Sequence, residues 1–331
     1  MTAEAAPDFR PRRSALARFV STYGQEIVIA CAIVALFVIV SGINPRFLGA
    51  NNVNTIIAGN AYIAVAAIGM SMVIITGNID VSVGALIGVL ATVSGNLAVA
   101  GYPIWLAWFL PVLIGAAIMG LTGVLVAYGG LPSIVVTLGM LSILRGGLVF
   151  VTGGAWINNI PPAFQLAQQR WLGLPPTIWF MVVLTILAFL WMRNTAFGRS
   201  LYAVGGNPDA ARAAGIPVER RIVQVFMIHG AFAGVATMLF ATQLRVIQST
   251  VPPNLELTII TASVIGGVSI LGGTGTVIGS TLAAILFAAI GSAMIFVNVS
   301  AYWLRAVIGL LILVTVLVDI ARRNREFRSQ Q

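Results

Sequence analysis

Residues 27–43 read IVIACAIVALFVIVSGI, seventeen consecutive positions without a charged side chain. A helix that crosses the hydrocarbon layer of a bilayer needs about 20 mostly apolar residues, and this run comes close to that length. Arg10, Arg12, Arg13 and Arg18 precede it, and Asn44-Pro45-Arg46 follows it. The arrangement looks at first like a signal peptide. The run is longer than the usual apolar region of one, however, and no small-x-small cleavage site follows, so the reading is a retained first helix.

The rest of the chain repeats the pattern. Apolar stretches at about 56–76, 82–100, 104–126, 133–152, 177–193, 222–243, 257–271, 276–296 and 301–319 bring the expected count to ten. Of 331 residues 59% are hydrophobic and 8% are charged. A soluble domain carries about 25% charged residues, so this chain has too little polar material to cover a water-facing surface. The predicted fold class is all-α, a polytopic membrane bundle of about ten spans with broken helices. It divides into an N-terminal arm 1–26, a transmembrane region 27–320 and a C-terminal tail 321–331.

The net charge of +9 comes from 18 arginines and no lysine. Their positions argue against nucleic acid, since no basic stripe with interleaved aromatic residues is present. Four lie in the N-terminal arm. Arg193, Arg199, Arg212, Arg220 and Arg221 lie in or beside the 194–221 loop, and Arg322, Arg323, Arg325 and Arg328 lie in the tail. Arg46, Arg170 and Arg245 fall in loops of the other side, with Arg145 and Arg305 in or near spans. Arginines collect in cytoplasmic loops, which places both termini and the 194–221 loop inside. The polar stretch 153–176, with four prolines and Trp156 and Trp171, then faces out and is a candidate docking surface.

Two segments interrupt the apolar pattern: Gly77 to Gly84, and Gly266 to Gly275. Irregular backbone at membrane depth persists only where protein or a wet cavity surrounds it, and such breaks mark binding or gating regions in transporters. Asn78, Asp80, Ser82, Arg145, Gly266, Gly267, Ser269, Gly272 and Gly273 are therefore candidate path or gate residues. Asp80 either receives backbone N–H bonds within the break or caps the helix starting near Ser82. Arg145 either faces the interior or snorkels to the outer interface. Glu256 and Arg305 are read as interfacial, and His229 as a packing residue rather than a proton relay. The pairs Gly84/Gly88, Gly230/Gly234 and Gly275/Gly279, four apart, suit close helix packing. One histidine, the single Cys31 and scattered carboxylates form no metal cluster and no triad, so no catalytic residue is expected, no metal site, and no cofactor on this chain.

The 194–221 loop carries the most local information. Asn207 is a good N-cap, Pro208 suits the first helical position, Asp209 complements the dipole, and Gly215 suits the stop. The helix between them is about two turns, too short to persist unless something holds it. That makes it a candidate for insertion into a groove on a partner, through Gly205, Gly206, Asn207, Pro208, Asp209, Ala210, Ala211, Arg212 and Gly215. Asp209-Ala210-Ala211, three residues, then Gly215 matches the Glu-Ala-Ala-x3-Gly core of importer coupling loops with Asp in place of Glu.

These features, with Asn78 to Gly84, Leu131 to Gly139, Phe197-Gly198-Arg199 and Gly266 to Gly273, make the chain resemble permeases of ribose-type bacterial ABC sugar importers. The resemblance runs from about Asn44 to Asp319 and is at least as close to relatives carrying rhamnose or a furanosyl autoinducer, notably at Thr152-Gly153-Gly154 with Trp156-Ile157. It implies an inner-membrane permease subunit for a monosaccharide, small polyol or furanosyl ligand. It further implies a second permease chain, identical or homologous, an ATP-binding cassette subunit holding ATP and Mg, and a periplasmic solute-binding protein. Without lysine this chain has no Walker A loop, so any ATP must bind elsewhere. The competing class is an ATP-independent secondary transporter or channel, for which the spans offer few carboxylates.

Overall fold

The computed structural model describes residues 15–250 and 252–300 and a few positions between 303 and 317. Eleven α-helices run through the described residues: α1 (Ala15–Ile43), α2 (Ala50–Ile75), α3 (Val83–Val99), α4 (Ile104–Ala127), α5 (Ser133–Thr152), α6 (Pro176–Asn194), α7 (Ala196–Gly206), α8 (Pro208–Ala213), α9 (Val218–Ala241), α10 (Leu255–Ile265) and α11 (Val277–Phe296). Seven are long and apolar enough to cross a membrane, and α3 and α10 are shorter apolar helices. The chain is thus a multi-pass helical bundle. Helices serve here because each satisfies its own backbone polar groups, which lipid cannot do.

Nine of the ten expected spans have a helix, and three details differ. The stretch 257–271 is helical only to Ile265, because glycines from Gly266 onward end it. Helix α1 begins at Ala15, inside the expected arm, and bends at Tyr23, whose φ of −116° and ψ of 20° depart from helical values. Residues 196–206, expected to be loop, form the helix α7. The span at 301–319, Arg305 and the terminal arginine clusters at 10–13 and 322–328 lie largely or wholly outside the described residues. The positions described at 306, 307, 309, 310, 313 and 317 are helical.

Helix α2 forms the centre. Every residue from Ala64 to Ile75 is buried, as expected of a helix that is apolar all round. Helices α9, α10, α11 and α6 surround it. The tightest interface joins α4 to α9. A Cβ on Gly115 would overlap the Gly230 carbonyl, a Cβ on Gly230 would overlap that of Gly115, and Gly234 lies against Pro111 and Val112. Lipid offers little hydrophobic drive between helices, so this close backbone approach supplies dispersion contact instead. The Gly230/Gly234 pair works as its spacing predicts. Gly275/Gly279 does not, because Gly275 precedes α11 at a φ of 135° and packs on Val268, leaving only Gly279 on the helix against Gly266.

The 153–176 stretch is folded back on the bundle. Trp156–Ile157 pairs antiparallel with Ile247–Gln248, the Trp108 Nε1–H donates to the Phe164 carbonyl at 3.2 Å, and the Trp179 Nε1–H donates to the Trp171 carbonyl at 3.0 Å. By contrast α5 is nearly uncovered: only Thr137, Met140 and Leu148 are buried, and nothing lies within 4 Å of a Cβ at Gly139, Gly146 or Gly147.

Gly230→Leu should therefore cost about 1–3 kcal/mol or more, the range for overpacking a filled interface, and lower the yield of folded protein. Gly42→Leu on α1, where a Cβ meets nothing within 4 Å, should be close to neutral. Thermal unfolding of both variants in detergent makes the comparison, and equal midpoints would remove the α4–α9 contact from the account.

Candidate functional site: two helix breaks joined at a buried polar pin

Both glycine-rich interruptions are real breaks. After Ile75 the chain leaves α2 through Gly77, at a φ of 79°, and starts α3 at Val83. After Ile265 it turns through Gly267, Gly272, Gly273 and Gly275, all at positive φ, before α11. Only glycine takes such angles routinely. The breaks sit against each other: the Gly273 N–H donates to the Ile75 carbonyl at 2.8 Å, which caps the open end of α2. A Cβ on Gly272 would come within 3.0 Å of Gly77 atoms.

The end of α7 closes the same spot. A Cβ on Gly205 would overlap the Ile75 carbonyl and lie 2.7 Å from the Gly273 nitrogen, and Gly206 backbone lies against Gly273. Three segments singled out separately in the sequence, 77–84, 205–215 and 266–275, thus meet at one point. Gly266 packs instead on Gly279 and Ser280 of α11, and Gly267 on the Gln25 side chain. Ser269 accepts from the Gly272 N–H through its carbonyl at 2.9 Å and donates its own N–H to Thr274 at 3.2 Å.

Inside the first break lies Asp80, with no exposed surface. Its Oδ1 accepts from the Ser82 N–H at 2.7 Å and the Ser82 hydroxyl at 2.6 Å. Its Oδ2 is 3.0 Å from His229 Nε2 on α9, also fully buried. The carboxylate therefore sits at the N-terminal end of α3, where the helix dipole favours negative charge. Ser82, not Asp80, occupies the cap position. His229 is more than a packing residue: the geometry calls for an Nε2–H donated to Asp80, with the ring wedged against Gly69, whose Cβ would lie 2.8 Å from Nδ1. Nothing in the spacing of Asp80 and His229, 149 positions apart, could have revealed the pair. The break is further tied to α5, since the Ile79 N–H donates to Ser133 Oγ and the Val81 N–H to Thr137 Oγ1, both at 3.2 Å. Asn78 Nδ2–H donates back to Thr76 Oγ1 at 3.1 Å.

One turn along α3, Gly84 leaves room for Glu256, whose carboxylate would strike any Cβ there. Glu256 is 6% exposed, so its carboxylate is packed inside the protein. It occupies the first turn of α10, a favourable place for a carboxylate. Its Oε2 is buried without a hydrogen-bond partner, and its Oε1 lies 3.9 Å from Arg145 Nη2. Arg145 is half-exposed, pointing one end inward to Glu256 and keeping the rest on the uncovered side of α5.

The short helix matches its expectation closely. Asn207 Oδ1 accepts from the Asp209 N–H at 3.0 Å and the Ala210 N–H at 2.9 Å, Pro208 opens the helix, and Gly215 turns the chain at a φ of 79°. Arg212 clamps the turn, donating to Asp209 at 2.9 Å and to Glu219, on the first turn of α9, at 2.9 Å. The hydrogen bond and charge of Glu219, then those of Asp209, raise the Arg212 pKa further above its ordinary value. Ala211 is buried with Val204 and Val218 beneath it, while Asp209 and Arg212 stay exposed.

A bundle of apolar helices interrupted by two abutting breaks is the architecture of a membrane permease. The family model described as the permease component of the branched-chain amino acid transport system matches residues 52–316, and the chain belongs to that family. It is 36% identical over 311 residues to an autoinducer 2 import system permease protein, LsrC, of Salmonella typhi, covering 93% of this chain and 90% of that one. Identity to the LsrC permease of Escherichia coli is 34% over 311 residues, covering 93% and 91%. For that of Photorhabdus luminescens it is 34% over 297 residues, covering 89% of each. No solved structure matches the chain.

Asp80→Ala or His229→Ala alone should cost about 3–5 kcal/mol, as when one partner of a buried pair is removed. The double variant should cost less than the sum, by a coupling of about 0.5–3 kcal/mol. Denaturant unfolding of the four proteins measures this. Strict additivity would mean that the two side chains do not depend on each other.

Proposed function

We propose that this chain is the membrane-spanning subunit of an ATP-driven importer, forming the path for a monosaccharide or a related small polyol or furanosyl ligand. The similarity to autoinducer 2 import permeases over 93% of the chain is the observation that carries the reading. The chain itself is non-catalytic in this scheme. ATP and Mg are held by a separate ATP-binding cassette subunit, and a solute-binding protein delivers the ligand from the periplasm. A second permease chain completes the path, and the uncovered face of α5, with Gly139, Gly146 and Gly147 open, is a suitable seat for it. The charge distribution supports an inner-membrane orientation with both termini and α8 in the cytoplasm.

The geometry supports a route for coupling. Helix α8 stands out from the bundle with Asp209 and Arg212 exposed, so it can enter a groove on the ATPase. Behind it, Arg212 is bonded to Glu219 of α9, and α9 carries His229 to Asp80 in the first break. Ahead of it, Gly205 and Gly206 press on Ile75 and Gly273. A displacement of α8 therefore reaches both breaks, one by a rigid helix and the other by direct backbone contact. Such a movement around Asn78, Asp80, Ser82, Gly266 and Gly272 provides alternating access. The Arg145–Glu256 pair offers hydroxyl-bearing ligands both a donor and an acceptor on the way.

Uptake of labelled D-ribose and of autoinducer 2 by cells expressing the whole importer tests this. Uptake should persist when ion gradients are collapsed and stop when ATP is depleted; the reverse pattern would assign the chain to ion-coupled transport. Arg212→Ala should reduce uptake at least tenfold while lowering stability by no more than about 1 kcal/mol, the usual worth of an exposed ion pair. Glu256→Gln should slow uptake without abolishing assembly with the ATPase. Full uptake by Arg212→Ala would sink the coupling role of α8.

A further inference from the structure

A cavity of ≈ 310 Å³ opens where α1, α6, α7 and α11 approach each other. Phe189 and Met192 of α6, Val277 of α11 and the Tyr23 ring form its apolar walls, and Arg193 and Arg199 stand at it. Its level follows from two helix landmarks. Tyr23 is both the bend of α1 and the start of its membrane-crossing length, and Arg193 is the penultimate residue of the crossing length of α6. The mouth thus lies where the apolar layer gives way to water, the usual level of tyrosine and arginine. Away from the mouth, α6 exposes Val183, Ile186, Leu187 and Leu190 in an apolar band that ends beside Arg193.

The polar groups of the cavity are unevenly committed. Tyr202 donates its hydroxyl to the Gly275 carbonyl at 2.9 Å, and the Thr276 hydroxyl is bonded to Glu26. Arg193 gives one N–H to the Tyr23 hydroxyl at 2.6 Å and lies over the Phe189 ring at 5.8 Å. Arg199 gives one N–H to the Asn194 carbonyl at 3.3 Å. Among the described residues no carboxylate stands within ion-pair distance of either guanidinium. Among the described residues, both guanidiniums thus keep most of their donors uncommitted at the rim of an apolar cavity.

We propose that this cavity binds the phosphate of an anionic membrane phospholipid, with Arg193 and Arg199 on the phosphate oxygens and the acyl chains along the exposed band of α6. Guanidinium forks suit phosphate oxygens, and basic pockets between spans at the cytoplasmic boundary take anionic headgroups. A free phosphate satisfies the same two arginines but leaves the apolar walls and the α6 band without a partner, which favours the lipid. The proposal does not depend on what the chain transports.

Native mass spectrometry of the complete importer, titrated with phosphatidylglycerol or phosphatidylcholine, provides the test. Arg193→Gln with Arg199→Gln should weaken phosphatidylglycerol binding about fivefold per arginine, leave phosphatidylcholine unaffected, and be largely rescued when both residues are Lys. Arg170→Gln, which removes one charge in the 153–176 stretch, should bind phosphatidylglycerol as the wild type does. Should the double variant not assemble, Arg199→Gln alone carries the fivefold loss, since the Arg199 guanidinium is tied to the protein by a single long hydrogen bond, 3.3 Å to the Asn194 carbonyl, among the described residues. Unchanged phosphatidylglycerol affinity in an assembled glutamine variant overturns the proposal. Displacement of phosphatidylglycerol by millimolar inorganic phosphate, with equal arginine dependence, overturns the lipid assignment in favour of a free anion.

Discussion

A carboxylate with no exposed surface must find its hydrogen bonds inside the protein, because desolvation without compensation costs more than a domain's whole stability margin. Asp80 finds three: the N–H and hydroxyl of Ser82 and the imidazole of His229. That requirement organises the centre of this bundle. It fixes where α3 begins, since Ser82 must present its N–H to the carboxylate. It brings α9 within reach, since no other histidine exists in the chain. It also demands Gly69 on α2, because any side chain there would displace the imidazole. One buried acid thus ties three helices and the break between two of them.

The same economy governs the second break. Helix α2 ends with carbonyls that have no partner in the next turn, and the Ile75 carbonyl is met by the Gly273 N–H. For that hydrogen bond to form, the chain at 272–273 must approach backbone to backbone, and positive φ at both glycines makes the approach possible. Gly205, within α7, is glycine for the close approach alone, since a Cβ there would overlap the Ile75 carbonyl. Glycine thus has a required place at this junction as at the α4–α9 contact, while a Cβ at Gly24 or Gly42 would meet nothing within 4 Å.

Much of this was legible in the sequence because it is encoded locally. The spans follow from unbroken apolar runs, and the α8 helix follows from Asn207, Pro208, Asp209 and Gly215, each acting within a few residues. The breaks were legible as glycine clusters beside Asp80. What the sequence hid is what arises only when distant segments meet. His229 looked like a core residue because its partner lies 149 positions away, in the break before α3. Glu256 looked interfacial because it stands at the start of its span; its burial comes from Gly84 on α3, a neighbour far away in sequence. Helix α7 was missed because its three glycines, Gly198, Gly205 and Gly206, disfavour a helix by propensity, whereas packing against Met192, Ile75 and Gly273 requires the first two of them.

The distribution of contacts also separates stiff parts of the molecule from yielding ones. Helices α4 and α9 meet through Gly115, Gly230 and Gly234 so closely that a sliding movement between them would force backbone atoms together, and packed interiors resist such deformation. They behave as one body, and α9 extends it from the Arg212–Glu219 bond at one end to Ala241 at the other. The breaks are held differently, by a handful of hydrogen bonds in backbone that turns at positive-φ glycines. Hinge movements are absorbed by a few such residues between rigid elements. A rearrangement of this bundle that spares the α4–α9 contact must therefore pass through 77–82 and 266–275. The first of these contains the Asp80–His229 bond, which would have to break or travel with α9.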